Sequence, residues 1–406
     1  MTDAAPTRPS LPASPASSPG GDREGQGPRG FVSHVANVGI KDGSLDFSVV
    51  ASEVPCTSAG CFTQSRFAGA SVLISRRNVA SGAARAIVTI SKNANVATGE
   101  QGHRDSEAVV AMVASSLGVP AMDVLVSSTG VIGRLLPMDR VMAHADLLTE
   151  GYGPADFDLV AQAIMTTDTV PKTARATVGD ATIVGIAKGV GMIEPDMATL
   201  LTYFFTDAPI GRDDLSAVFG RVVETTFNSL SIDTDTSTSD TALIFANGLA
   251  EPVDLDAFEA ALHAVARSLV QQIARDGEGA TKLLEVTVDE AADDAQAKRV
   301  AKLIVNSPLV KTAVHGCDPN WGRVAMAIGK AQDELDIDPS HTTIRFGGTE
   351  VYPRLLDDED LAKLSEVMAG DEVAIQVSLG IATGSWTVWG CDLSDGYVRI
   401  NADYTT

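Results

Sequence analysis

Lys188-Gly189-Val190-Gly191-Met192-Ile193-Glu194-Pro195-Asp196-Met197-Ala198-Thr199-Leu200 places a threonine behind a glycine-rich loop and directly ahead of a strand-like run, Leu200 to Thr206. A peptide bond opened before Thr199 would leave that residue with a free α-amino group beside its own hydroxyl. One residue would then supply both nucleophile and base. The loop glycines permit positive φ and close backbone approach, and Pro195 restrains the segment ahead of the bond. Upstream, the Gly179-Asp180 turn and the run Ala181 to Ala187 read as a buried strand that delivers the chain into the loop, with Lys188 at its end. The Gly-x-Gly spacing lacks the third glycine of a dinucleotide fingerprint and the Gly-Lys-Ser/Thr ending of a phosphate loop, so nucleotide binding is not expected.

Composition narrows the field. The chain has 406 residues, 45% of them hydrophobic and 20% charged, enough for a large core arranged as two or three domains or as one large α/β unit. A formal charge of -23 without a dense basic stripe argues against a nucleic-acid partner. No long apolar span suggests a membrane segment, and residues 1–29 are rich in Pro, Ser and Gly without the apolar stretch of a secretory signal. They read as a disordered tail. The cysteines, Cys56, Cys61, Cys317 and Cys391, form no C-x-x-C pair, which fits a reducing, cytoplasmic setting. His34, His103, His144, His263 and His341 show no metal-ligand spacing, and no separate coenzyme A motif is present, so neither metal nor cofactor is expected.

Regular structure is predicted to begin near Gly30-Phe31-Val32, followed by strand-like runs at Leu45 to Ala51, Ala70 to Ile74 and Ala86 to Ile90. Val109, Val110, Val113 and Leu117 recur at helical spacing behind a cap at Asp105 or Ser106, and a second helix is expected over Ala155 to Met165. Beyond Thr199, Phe258, Leu262, Val265, Leu269 and Ile273 define one face of a helix from Asp256 to Arg275, ended by Asp276-Gly277-Glu278-Gly279. Strands are expected at Ala242 to Phe245, around Gly347-Gly348, at Val373 to Leu379 and at Trp386 to Val388. No repeat or long linker separates the two sides of Thr199, so both should share one core.

Ser231 to Asp240 alternates carboxylates and hydroxyls. A calcium loop starting at Asp233 would need glycine where Thr238 stands and glutamate where Ile244 stands, which leaves a polar turn or the lining of an active-site cleft. His315-Gly316-Cys317-Asp318-Pro319-Asn320-Trp321-Gly322-Arg323 has adjacent His and Cys, but catalytic pairs converge in space rather than in sequence. A turn into a helix over Val324 to Ile328, capped by Asn320 or Asp318, is the better reading. Asn93 to Gly99 and Ser127-Ser128-Thr129-Gly130 end polar runs with glycine, as structural turns do and as backbone donors aimed at a ligand oxygen do.

Taken together, Asn93 to Gly99, Ser128 to Gly130, Met165 to Thr169, the Lys188 to Leu200 motif, Asp235 to Asp240, Asp276 to Gly279 and His315 to Arg323 resemble, in order, the ornithine acetyltransferase family, also called glutamate N-acetyltransferases. The resemblance covers everything after the tail. Glu194 stands where arginine-pathway members often carry histidine, which makes the motif similar to the branch found in clavulanic acid gene clusters. The resemblance implies an N-terminal-nucleophile-like αββα sandwich, self-cleaved between Ala198 and Thr199 into an α chain (30–198 after the tail) and a β chain (199–406) that interleave in one catalytic unit, assembled as α4β4 or (αβ)2. It implies transfer of an acetyl group from N-acetylornithine to glutamate through an acetyl ester on Thr199. It assigns the oxyanion hole to Thr129 and Gly130, and substrate binding to Thr166, Lys188, Thr199, Glu278, Asn401 and Thr406.

Overall fold

The computed structural model describes residues 27–194, 200–354 and 356–403. Strands β1 (Phe31–Ala36), β2 (Phe47–Ser52), β3 (Thr57–Phe62), β4 (Ala86–Ile90), β5 (Val124–Ser128), β6 (Gly153–Pro154), β7 (Lys172–Val178) and β8 (Ala181–Lys188) precede the glycine loop. Strands β9 (Leu201–Thr206) and β10 (Thr241–Ala246) follow it. They form two five-stranded sheets, ordered β5-β4-β2-β1-β6 and β3-β10-β9-β8-β7.

The two sheets face each other across one apolar layer, where Val50, Ile87 and Leu125 of the first meet Val184, Tyr203 and Phe245 of the second. Helix Gly99–Leu117 covers the outer face of the first sheet through Val109, Val110 and Val113. Helices Arg212–Thr225 and Leu255–Arg275 cover the second, setting Phe219, Leu262 and Leu269 against Ile183, Phe204 and Ile244. The layers therefore run helix, sheet, sheet, helix. Because β9 is covered on both sides, every residue from Leu201 to Thr206 is buried. That explains why this stretch reads as a continuous strand-forming run rather than an alternating one.

Strands from before and after residue 199 share the second sheet: β8 pairs antiparallel with β9, setting Lys188 opposite Leu201, and β9 runs parallel to β10. A third sheet, made of β11 (Leu283–Ala291), β12 (Thr343–Phe346), β13 (Thr349–Tyr352), β14 (Glu372–Ser378) and β15 (Gly384–Cys391), is ordered β13-β12-β14-β11-β15. It has its own core, with Val286, Val377 and Val388 against Val300 and Ile304 of helix Asp294–Val305. Periodicity located β12 to β15 but missed β11, and it did not show their union into a separate sheet, since pairing partners lie far apart in the chain.

Two local expectations need correction. The run at Ala70 to Ile74 is the first half of a helix, Ala70–Val79, and not a strand. Ser71, Val72, Ile74, Ser75 and Asn78 are its buried residues, and the Ser75 hydroxyl donates to the Val126 carbonyl at 2.6 Å. Packing on the first sheet overrides the β-branched character of those few residues. The helix expected from Ser106 begins at Gly99. Asp105 and Ser106 lie inside it and are buried, and Ser106 Oγ accepts from Asn95 Nδ2 at 2.9 Å instead of capping. The Leu255–Arg275 helix matches its predicted face, and the Asp254 side chain caps it by accepting from Ala257 N.

Arg29, inside the stretch read as tail, is anchored by Asp207 Oδ2 at 2.7 Å and Asp180 Oδ2 at 2.8 Å. Residues 1–26 lie outside the described residues. Among the described residues no helix is long and apolar enough to cross a membrane.

Candidate active site

The glycine loop leaves β8 where the ends of β5 and β8 converge, and the loops after Met165 and Asp276 close around them. Thr129, Gly130, Thr166, Lys188, Glu278 and Asn401 line one pocket of about 130 Å³. Six residues named from the sequence, spread over more than half the chain, are thus brought together. Ala198, Thr199 and Thr406 lie outside the described residues. The described chain resumes at Leu200, whose carbonyl accepts from Thr241 N at 3.0 Å.

Thr129 continues β5, and its amide donates to the Ile90 carbonyl at 3.1 Å. Its hydroxyl accepts from Lys188 Nζ at 3.1 Å, joining the first sheet to the second. Gly130 has φ of 131°, and a Cβ there would stand 2.2 Å from the Lys92 carbonyl carbon. Only glycine fits that turn of the backbone.

Lys188 is 5% exposed. Burial depresses its pKa, Lys172 adds to that, and Asp168, Asp240 and Glu278 oppose it. Asp168 is the hub: its Oδ1 accepts from Lys172 Nζ at 2.8 Å and from Gly189 N at 2.7 Å, and its Oδ2 accepts from Thr166 N at 3.0 Å. Burial works against the Asp168 charge, but Lys172 and Lys188 outweigh it and hold the carboxyl below its ordinary value. Lys172 also reaches Asp276 Oδ2 at 2.7 Å. One buried cation therefore ties the Thr166 loop, the glycine loop and the Asp276 turn together.

Glu278 sits over the glycine loop, with its amide donating to the Val190 carbonyl at 2.8 Å. Its Oε2 accepts from Asn401 Nδ2 at 2.8 Å, and its Oε1 from the Thr167 hydroxyl at 3.4 Å. A Cβ on Gly191 would approach Glu278 Oε2 to 2.5 Å, so the second loop glycine clears space for this carboxylate.

Asp233 grips the loop from the other side, accepting from Met192 N at 2.6 Å and Ile193 N at 2.8 Å. Met192 itself has φ of 56°. Asp235, Ser237, Thr238 and Ser239 also line the pocket, which favours the cleft reading of that polar run. Glu194 accepts from Lys302 Nζ at 2.9 Å and Asn306 Nδ2 at 3.2 Å, tethering the loop to helix Asp294–Val305. Among the described residues no cluster has the makings of a metal site.

Sequence reasoning missed Tyr397, Lys172 and the clamping role of Asp233. Tyr397 lies four residues before Asn401 on helix Asp395–Asp403, so helical spacing from Asn401 was a usable signal. Nothing in the local sequence marks Lys172, which acts through partners distant in the chain. His315 Nδ1 contacts Asp392 Oδ2 at 2.7 Å, whereas the Cys317 thiol accepts from Lys282 Nζ at 3.2 Å outside this pocket. Asn320 caps helix Trp321–Ile328 by accepting from Arg323 N at 3.2 Å, as the turn reading required.

Glutamate N-acetyltransferase Oat2 of Streptomyces clavuligerus is 58% identical over 385 residues, covering 93% of this chain and 98% of that protein. Arginine biosynthesis bifunctional protein ArgJ of Rhodococcoides fascians is 51% identical over 388 residues, covering 95% and 96%. The crystal structure of arginine biosynthesis bifunctional protein ArgJ from Bacillus halodurans aligns at 40% identity with a TM-score of 0.46, covering 49% of this chain and 96% of that one. The ArgJ family model matches residues 32–406, and the chain belongs to the ArgJ family.

Proposed function

We propose that this ArgJ-family acyltransferase carries an acetyl group from N-acetyl-L-ornithine to L-glutamate on Thr199, after its own backbone opens between Ala198 and Thr199. The observation that carries the reading is the convergence of Thr129, Gly130, Lys188, Glu278 and Asn401 on one pocket lined by Val190, Gly191 and Met192 of the glycine loop.

In maturation, the Thr199 hydroxyl attacks the Ala198 carbonyl, the peptide becomes an ester, and water hydrolyses it. Residues up to 198 leave as an α chain, and a β chain begins with a free amine. An unperturbed α-amine has a pKa of about 7.7 to 8.0, so a useful fraction accepts the hydroxyl proton near neutrality. In transfer, the Thr199 oxygen attacks the acetyl carbonyl and the amine takes its proton. Thr129 and the Gly130 amide stabilise the oxyanion, and the proton passes to departing ornithine. The glutamate amine then attacks the acetyl-threonine ester and regenerates the enzyme. Glu278, supported by Asn401, faces the substrate's ammonium groups, and Thr166, Lys188 and the terminal Thr406 complete the binding site. The two chains stay together in one catalytic unit that assembles into an (αβ) oligomer.

Amino-terminal sequencing and intact mass test this. Active protein should contain a chain starting Thr-Leu-Leu-Thr, and Thr199→Ala should remain one chain of 42.2 kDa. Normal cleavage of Thr199→Ala would reject the nucleophile. Acetate released from N-acetylornithine at full rate without glutamate would replace acyl transfer by hydrolysis.

A further inference from the structure

Tyr397 and Asn401 stand four residues apart on helix Asp395–Asp403, which sets them on the same face, and both line the pocket. The start of this helix is fixed against the Glu278 turn. Gly279 has φ of 71°, and a Cβ there would stand 2.3 Å from Tyr397 N, while the Ser394 hydroxyl donates to the Gly279 carbonyl at 2.5 Å and accepts from Gly396 N at 3.0 Å. The Tyr397 hydroxyl donates to Asp233 Oδ2 at 3.4 Å. Burial and then the charges of Asp233, Asp235 and Glu278 oppose its ionisation, so the phenol stays neutral among three carboxylates.

Those carboxylates differ in what they already hold. Asp233 accepts from the Met192 and Ile193 amides, from the Tyr397 hydroxyl and from Asp235 N at 3.4 Å. Glu278 has Asn401 on one oxygen and the Thr167 hydroxyl on the other. Asp235 also lines the pocket, yet its exposed carboxyl accepts no hydrogen bond among the described residues. Lys188 is the one cation among the described residues lining the pocket, and it donates to Thr129 at 3.1 Å. Three acids against one ammonium favour a ligand that brings a positive charge to the Tyr397 end.

We propose that Asp235, beside Tyr397, is the specificity-determining residue that receives the side-chain ammonium of the acetyl donor. The inference deepens the acetyl-transfer reading above and rests on it. N-acetylornithine ends in an ammonium with three N–H donors; Asp235 supplies the open acceptor, and Glu278 shares the charge. A neighbouring aromatic ring further favours a cation over an anion. Glutamate brings a carboxylate into the same pocket in the second half-reaction, so the charge that helps the donor works against the acceptor.

The experiment measures kcat/KM of Asp235→Asn for each substrate separately, since in a ping-pong cycle each value reports its own half-reaction. For N-acetylornithine it is expected to fall about tenfold, and for glutamate to stay level or rise. N-acetylnorleucine, with a side chain of the same length and no charge, serves as the neutral comparison. Wild type should prefer N-acetylornithine to it, and the variant should lose about tenfold of that preference. Equal falls for donor and acceptor, as a distorted pocket would give, or an undiminished preference for the charged donor overturns the role of Asp235. Wild-type protein that moves no acetyl group from N-acetylornithine to glutamate overturns the underlying reading instead.

Discussion

Lys172 and Asp276 form an ion pair of 2.7 Å inside the protein, the lysine side chain fully buried and the aspartate 5% exposed. Asp168 completes the group at 2.8 Å from the same ammonium. Removing one partner from such a group strands the others without water, which costs about 3 to 5 kcal/mol. Lys172→Met should lower the urea midpoint correspondingly and loosen the Thr166 and Asp276 loops together, so activity should fall with stability. A midpoint equal to wild type would contradict the clamp.

Acidification acts on the same hub. The Asp168 carboxyl is held below its ordinary value, so its contribution to stability is complete above the unfolded pKa of about 3.9 and is lost as pH falls through the lower folded value. Thermal melting should be insensitive to Asp168 protonation near neutrality and decline below about pH 4. Asp168→Asn should be less stable than wild type at neutral pH and should close that gap on acidification, which paired melting curves measure.

The Thr129 hydroxyl accepts from Lys188 Nζ and, in the proposed mechanism, donates to the developing oxyanion. Thr129→Ala should lower kcat by about a hundred- to a thousandfold, the usual effect of losing one such donor. KM for N-acetylornithine should change little, and steady-state kinetics on the purified variant separates the two constants.

Asp233 holds the Met192 and Ile193 amides ahead of the proposed cleavage bond. Asp233→Ala should slow self-cleavage, by about a hundredfold if the loop shifts by an ångström. Gel densitometry of a timed sample would show accumulating precursor, and a wild-type rate would remove the clamp from the maturation step.

Glu278 takes its orientation from Asn401 at 2.8 Å and from space left by Gly191. Glu278→Gln keeps the shape and loses the charge, so KM for N-acetylornithine should rise by about 1.5 to 3 kcal/mol of binding, the range for a hydrogen bond to a charged group. Intact mass should still show the two chains.

The helix from Leu255 to Arg275 and the strand from Leu201 to Thr206 were readable because each buries a face whose period is written in adjacent residues. The Ala70–Val79 helix was misread because its short apolar run fits either period, and packing on the first sheet chose between them. Thr129, Lys188 and Glu278 were named through ordered motifs that a linear scan can compare. Lys172 carries no local mark, since its significance lies in what surrounds it.

The amino-acid sequence alone determined the family motif around Thr199, the strand that follows it and the set of polar loops able to serve it, because these depend on residue types at short spacing. Only the tertiary structure decided that β5 and β8 end side by side and that Asp168, Lys172 and Asp276 share one buried charge network. Burial and proximity between residues far apart in the chain are properties of the folded packing, and charge and hydrogen-bonding energies depend on them.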